Sequence, residues 1–243
     1  FSSGIDEMTE AVFHEDSYLK ELEAAICRVN GNIVELDRTL FYPLGGGQPS
    51  DTGWIETDTG VRYSITDARK GEQPGDIHHL LEGEDHALSQ GDQVKIGIDW
   101  ERRYAHMRMH TAMHLLGSLI PVPVTGGSVG AEKSRLDFNM GDLTMEKDTL
   151  TEQMNELIEA GHDIVFEFIT ESELDENPGL VRTMSVQPPR GVGDIRMVRV
   201  QNIDYQPCGG THINNTAEIG PVRISKIENK GKKNRRFHLV FAD

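Results

Sequence analysis

Apolar and polar residues change their rhythm once along this chain. Up to about residue 100 the apolar positions come in short runs, Ala25-Ile-Cys-Arg-Val, Asn32-Ile-Val-Glu-Leu and Leu40-Phe-Tyr, with Asn30-Gly31 between the first two and Gly45-Gly-Gly after the third. Further strand-like stretches cover residues 53–57, 61–67, 76–81 and 93–99, punctuated by Gly60, Gly71, Gly75 and Gly91. Short strands with frequent turn signals predict a small β-barrel. From residue 100 to 120 the chain has no proline and no glycine before Gly117, and it places Met107, Ala112, Leu115 and Leu119 for a helix. A second helix is predicted over 149–160, with Leu150, Met154, Leu157 and Ile158 on one face and Gly161 closing it. Strands are expected at 134–139, 163–170, 195–200, 222–229 and 236–241. The predicted fold class is therefore α+β: a barrel domain over 1–99 and an α+β domain over 100–243 with a mainly antiparallel sheet.

Composition narrows the class further. With 37% hydrophobic and 26% charged residues, 243 residues suffice for a substantial core. The apolar stretch at 115–124 is broken by Pro121 and Pro123 and is about half of what a bilayer span needs. Two cysteines, Cys27 and Cys208, make no disulfide framework, so a reducing, cytoplasmic setting is expected. Cys27 reads as core packing in an apolar strand. The opening Phe1-Ser-Ser-Gly reads as a ragged or appended start, and Met8 could serve as initiator.

The net charge of −16 is unevenly spread, with 20 acidic and 7 basic side chains in residues 1–99 against 20 and 17 in the rest. Between residues 223 and 236 only Glu228 opposes seven basic residues. Lys230, Lys232, Lys233, Arg235 and Arg236 could meet nucleic-acid phosphates, although Lys-Gly-Lys-Lys-Asn is also ordinary hairpin-turn chemistry.

Candidate chemistry lies in three places. His106, His110 and His114 recur every four residues on the long helix, and such imidazoles lie one above another on one face, where a pair can grip a cation. The spacer Thr111-Ala112-Met113 carries no glutamate, which argues against the metalloprotease arrangement. Cys208-Gly-Gly-Thr-His212 offers a thiolate and an imidazole in a flexible bend; sulfur beside imidazole favours Zn²⁺ over Mg²⁺ or Ca²⁺. A closed set of four donors is the usual structural arrangement, so a zinc-bound nucleophile does not follow automatically. The third place is Arg38-Thr-Leu-Phe-Tyr-Pro-Leu-Gly-Gly-Gly-Gln-Pro-Ser-Asp-Thr-Gly53, where three glycines allow close backbone approach and Gln48 can present an amide. It lacks the endings of a phosphate loop, and a tight barrel turn explains it equally well.

Taken in order, Phe41-Tyr-Pro-Leu-Gly-Gly-Gly-Gln-Pro-Ser-Asp-Thr-Gly53, Asp99-Trp-Glu-Arg-Arg103, His106-Met-Arg-Met-His-Thr-Ala-Met-His-Leu-Leu116, Cys208-Gly-Gly-Thr-His212 and Thr216-Ala-Glu-Ile-Gly-Pro-Val222 resemble the editing domains of alanyl-tRNA synthetases and their free-standing relatives, the AlaX editing proteins, in the medium-length class. The threonyl-tRNA synthetase editing domain shares the His/Cys pattern but not the triple-glycine segment. The resemblance implies zinc ligands at His110, His114, Cys208 and His212, with His106 flanking the pocket. It implies hydrolysis, in trans, of the ester joining serine, and also glycine, to tRNA(Ala). Thr111, Gln48 and Ser128 are the candidate catalytic groups, with Asp137 as a weaker one. Two other functions remain open, a non-enzymatic zinc-stabilised RNA-binding module and a zinc hydrolase of a small ester or amide.

Overall fold

The computed structural model describes residues 8–182 and 187–243; the opening Phe1-Ser-Ser-Gly lies outside them. The chain forms two compact units, one of residues 1–45 and 49–103, the other of 46–48 and 104–243. It is mixed α and β, with a closed barrel and otherwise mainly antiparallel sheets.

In the first unit, β1 (Glu10–Ala11) and α1 (Val12–Glu15) precede β2 (Glu21–Asn30), β3 (Ile33–Leu36), β4 (Arg38–Thr39), β5 (Gly53–Thr57), β6 (Arg62–Lys70), β7 (Ile77–Leu81) and β8 (Gln93–Ile98). Six of these strands close a barrel in the order β2-β3-β7-β6-β5-β8, every pair antiparallel. Closure leaves no open edge, and alternate residues such as Ala24, Ile26, Val34, Leu36, Ile55 and Ile96 fill the interior. Cys27 is exposed, contrary to the sequence expectation. Ala24 and Ile26 already occupy the inward positions of β2, and a bulge between Ile26 and Arg28 turns the intervening residue outward.

Residues 40–42 are buried but form no strand, which corrects a second expectation. Their path is fixed by side chains. Asp51 accepts from the Tyr42 amide at 2.8 Å and from Arg103 Nε at 3.0 Å, and fully buried Arg103 also donates to the carbonyls of Ser17 and Leu40. Such a loop meets its backbone hydrogen-bonding needs through a buried ion pair instead of a ladder.

Arg103 lies in the first turn of α2 (Trp100–Leu119), which continues into the second unit. That unit adds β9 (Val124–Ser128), β10 (Lys133–Asn139), α3 (Lys147–Ala160), β11 (Ile164–Ile169), α4 (Glu171–Glu176), β12 (Ile195–Val200), β13 (Asp204–Pro207), β14 (Val222–Asn229) and β15 (Asn234–Phe241). One antiparallel sheet runs β14-β15-β10-β9 and another β11-β12-β13. Helix α3 buries Leu150, Met154 and Ile158, one side of a 3.6-residue period, and ends on Gly161 at φ 70°. Asn155 fastens it to β14 by bonding both the N–H and the carbonyl of Val222, at 2.9 and 2.8 Å. No helix among the described residues is long and apolar enough to cross a membrane.

Candidate metal centre

His110 and His114 stand one turn apart on α2, and the bend after β13 brings Cys208 and His212 to them. One potential ligand atom from each of the four residues lies within 4.8 Å of every other. Cys208 Sγ is 3.5 Å from His110 Nε2 and 3.4 Å from His212 Nε2. Tetrahedral zinc, with Zn–S of about 2.3 Å and Zn–N of about 2.0–2.1 Å, would set sulfur and nitrogen about 3.5 Å apart. Those two spacings already match, and closing the widest one takes roughly 1 Å of side-chain adjustment. The cluster can hold a metal ion.

The outer nitrogen of each imidazole has its own partner. His110 Nδ1 lies 2.8 Å from Gln48 Oε1, His212 Nδ1 lies 3.0 Å from Thr111 Oγ1, and His114 Nδ1 lies 3.2 Å from Asp204 Oδ2. If each Nδ1 carries the proton, each Nε2 lone pair points inward as a donor, the usual arrangement around ligating histidines. Gln48 is itself held twice by Thr211, donating to its hydroxyl at 2.8 Å and accepting from its amide at 3.2 Å. Gln206 Nε2 donates to Asp204 Oδ2 at 2.7 Å and so steadies that carboxylate.

The bend needs glycine for space. A Cβ at Gly210 would collide with the His110 ring and lie 2.7 Å from Gln48 Oε1. Arg196 on β12 sets the course of the same bend, donating from Nη1 to the carbonyls of Cys208 and Gly210, each at 2.9 Å, while its guanidinium stacks 4.0 Å from the Phe166 ring centre.

Burial opposes charge at each of these groups, and the neighbours decide the outcome. At His114 burial lowers the pKa, yet the bond to Asp204 and the adjacent Cys208 outweigh it and raise the value to about 10. Burial likewise resists ionisation of Cys208, but His110 and His212 beside it hold the thiol well below its ordinary range. His212 is pushed well below the usual imidazole range, first by burial and then by His110. These neighbours favour the thiolate form of Cys208, and a cation held by the cluster would compete with the proton on His114.

The other candidates fall elsewhere. His106 is buried on α2 but contributes no atom to the cluster. Gln48 and Thr111 each touch a histidine of the set. Ser128 lies on β9 opposite Arg135 and, among the described residues, makes no hydrogen bond to the four. Asp137 is bound to Arg236 at 3.0 and 3.1 Å and to Arg135 at 2.6 Å. On the β14–β15 hairpin Lys230 pairs with Glu228 at 3.1 Å and Arg235 donates to Asn229, whereas Lys232 and Lys233 form no ion pair among the described residues. Sequence reasoning missed Asp204, Gln206 and Arg196. The only local signal was a carboxylate four residues before Cys208.

The chain has a barrel unit and an α+β unit whose three-histidine, one-cysteine cluster could hold a metal ion, and similarity connects it with the tRNA synthetases. Residues 195–238 match the family described as threonyl and alanyl tRNA synthetase second additional domain, and residues 6–102 match class II (A) tRNA synthetases. The alanyl-tRNA editing protein AlaX-M of Methanosarcina mazei is 39% identical, the match covering 97% of this chain and 98% of that protein. The AlaX-M protein of Saccharolobus solfataricus is 38% identical, over 96% of this chain and 99% of its own length. An alanine–tRNA ligase of Metallosphaera sedula is 37% identical over 90% of this chain but only 25% of the ligase. The chain belongs to the AlaX-M family of alanyl-tRNA editing proteins.

Proposed function

We propose that this protein is a zinc-dependent aminoacyl-tRNA deacylase that hydrolyses the ester of serine, and of glycine, mischarged on tRNA(Ala), acting in trans. The observation that carries this reading is the convergence of His110, His114, Cys208 and His212 in a chain that matches AlaX-M proteins over nearly their whole length. These four residues would hold zinc, which when bound supplies a concentrated positive charge beside a reacting carbonyl or water.

The chain's own groups do the positioning. Gln48 fixes the His110 ring and Thr111 fixes that of His212, so each acts on the reaction through a ligand. Ser128 is the third candidate and needs its own substitution to alanine. Serine differs from alanine by one hydroxyl, and a site that hydrogen-bonds this group rejects the analogue lacking it far better than an apolar pocket could. Lys230, Lys232, Lys233, Arg235 and Arg236 are assigned to the tRNA backbone. Lys232 and Lys233 are the best placed of them, because Lys230 and Arg236 already serve Glu228 and Asp137.

Deacylation of seryl- and alanyl-tRNA(Ala) tests the reading. Selective loss of serine is expected, and equal rates on both esters would defeat it. A closed set of four protein donors also suits a non-enzymatic zinc-stabilised RNA-binding module. That reading predicts tRNA binding with no hydrolysis of either ester by zinc-loaded protein.

A further inference from the structure

A peptide group carries its C=O and N–H on opposite sides, so tying down one carbonyl also aims the amide of the residue that follows. In the bend after β13 a single side chain ties down two carbonyls. Arg196 Nη1 donates to those of Cys208 and Gly210, each at 2.9 Å, and the Arg196 carbonyl accepts the Cys208 amide at 3.1 Å. Side chain and main chain of one buried residue on β12 thus hold the stretch that carries two of the four clustered groups.

The fixed peptide planes reach beyond the bend. With the Gly210 carbonyl turned to Arg196, the Thr211 amide points away from it and donates to Gln48 Oε1 at 3.2 Å, the oxygen that also lies 2.8 Å from His110 Nδ1. The Gly210 amide donates to Cys208 Sγ at 3.4 Å. One guanidinium is therefore linked to Cys208 through its own carbonyl and to His110 through a peptide group and an amide side chain. The segment itself supplies little order. Gly209 and Gly210 have no side chains to brace it; a Cβ at Gly209 would meet no atom within 4 Å, and one at Gly210 would strike the His110 ring. Arg196 is itself anchored, its guanidinium 4.0 Å from the Phe166 ring centre, and that ring lies 6.5 Å from the His212 ring.

We propose that Arg196 is a positioning residue of the metal centre, setting the Cys208-Gly-Gly-Thr-His212 bend so that the thiol and the imidazoles converge before a cation is bound. The inference rests on the zinc-dependent reading and adds to it the residue that keeps the ligands in place. A role confined to stability, in which Arg196 only satisfies two carbonyls, predicts a lower unfolding temperature with unchanged metal affinity in the folded protein. A positioning role predicts loss of affinity, because binding a cation must then also order the bend.

Arg196→Met keeps an alkyl chain against Phe166 and removes both donors, whereas Arg196→Lys keeps a donor without the planar fork. Cobalt(II) titrated into metal-free protein gives the affinity, and the thiolate-to-cobalt charge-transfer band reports whether Cys208 is a ligand. Arg196→Met should bind cobalt about 10- to 100-fold more weakly than wild type, with a weakened thiolate band, and Arg196→Lys should recover part of the loss. Hydrogen exchange in the metal-free proteins reads the bend without any cation, and the Thr211 amide should lose its protection in Arg196→Met. Wild-type cobalt affinity, thiolate band and Thr211 protection in Arg196→Met overturn the assignment, whatever happens to its unfolding temperature. If wild-type protein takes up no cobalt, the zinc reading fails, and Thr211 exchange alone decides for or against Arg196. If Arg196→Met does not fold, Arg196→Lys is read under the same outcomes.

Discussion

Each unit buries a polar constellation, and the two differ in where their bonds point. In the barrel unit Arg103 directs its donors to Asp51, Ser17 and Leu40, and Asp51 also takes the Tyr42 amide, so the group is closed on itself. In the other unit Gln48, Thr111 and Asp204 take only the outer nitrogens of three histidines, and the inner nitrogens face Cys208 and one another. A buried polar network with all its bonds turned inward holds a loop in place. One whose lone pairs converge is built for a cation, and burial alone does not tell them apart.

The sharpest break of this contrast is Asp51→Ala, which leaves Arg103 buried without its counter-charge. It should cost about 3–5 kcal/mol of stability in denaturant unfolding, whereas zinc stoichiometry in the protein that remains folded should not change. A second buried group in the barrel tests the same rule through pH. His79 bonds Thr39 at 2.6 Å and the Val34 carbonyl at 2.9 Å, and burial depresses its pKa from 6.5 to about 4. Between these values the unfolded chain takes up a proton that the native barrel refuses. Stability should therefore fall as pH drops from about 6.5 towards 4, by about 3 kcal/mol in all, and His79→Gln should flatten that part of the profile.

In the metal unit, Asp204→Asn keeps the shape of the side chain while weakening its hold on His114 Nδ1. Zinc affinity, measured by competition with a chromogenic chelator, should fall about 10- to 100-fold with little change in the fold, the opposite of the Asp51 result. The smallest effect is expected on the hairpin. Replacing Lys232 and Lys233 with alanine should lower the salt dependence of tRNA binding by roughly one to two phosphate contacts and leave zinc content unchanged.

How far the sequence foretold these regions depends on how local each feature is. Strands β5, β12 and β14 begin and end at the residues expected from alternation and turn signals, and α2 and α3 follow their apolar periodicity. Residues 40–42 misled because their apolar run is pinned by an ion pair between residues 52 apart, which no local pattern reveals. Strands β9 and β13 were hidden by Thr-Gly-Gly-Ser and by Pro207, which lack the alternation of apolar and polar side chains. The four clustered residues were legible because each pair is four residues apart. Gln48 was flagged for its glycine-rich setting, but its bond to His110 spans 62 residues, and the link from Asp204 to His114 could be seen only once β13 was in place.

If the converging donors of the second unit form a functional metal centre and not merely a staple, activity must follow the metal while the fold does not. The most direct measurement is single-turnover deacylation of seryl-tRNA(Ala) by protein stripped of metal and then reloaded with zinc, with circular dichroism followed on the same samples. Loss of hydrolysis with the fold retained, and recovery on zinc addition in wild type but not in His110→Ala, is the predicted result. Undiminished hydrolysis by stripped, folded protein would contradict it.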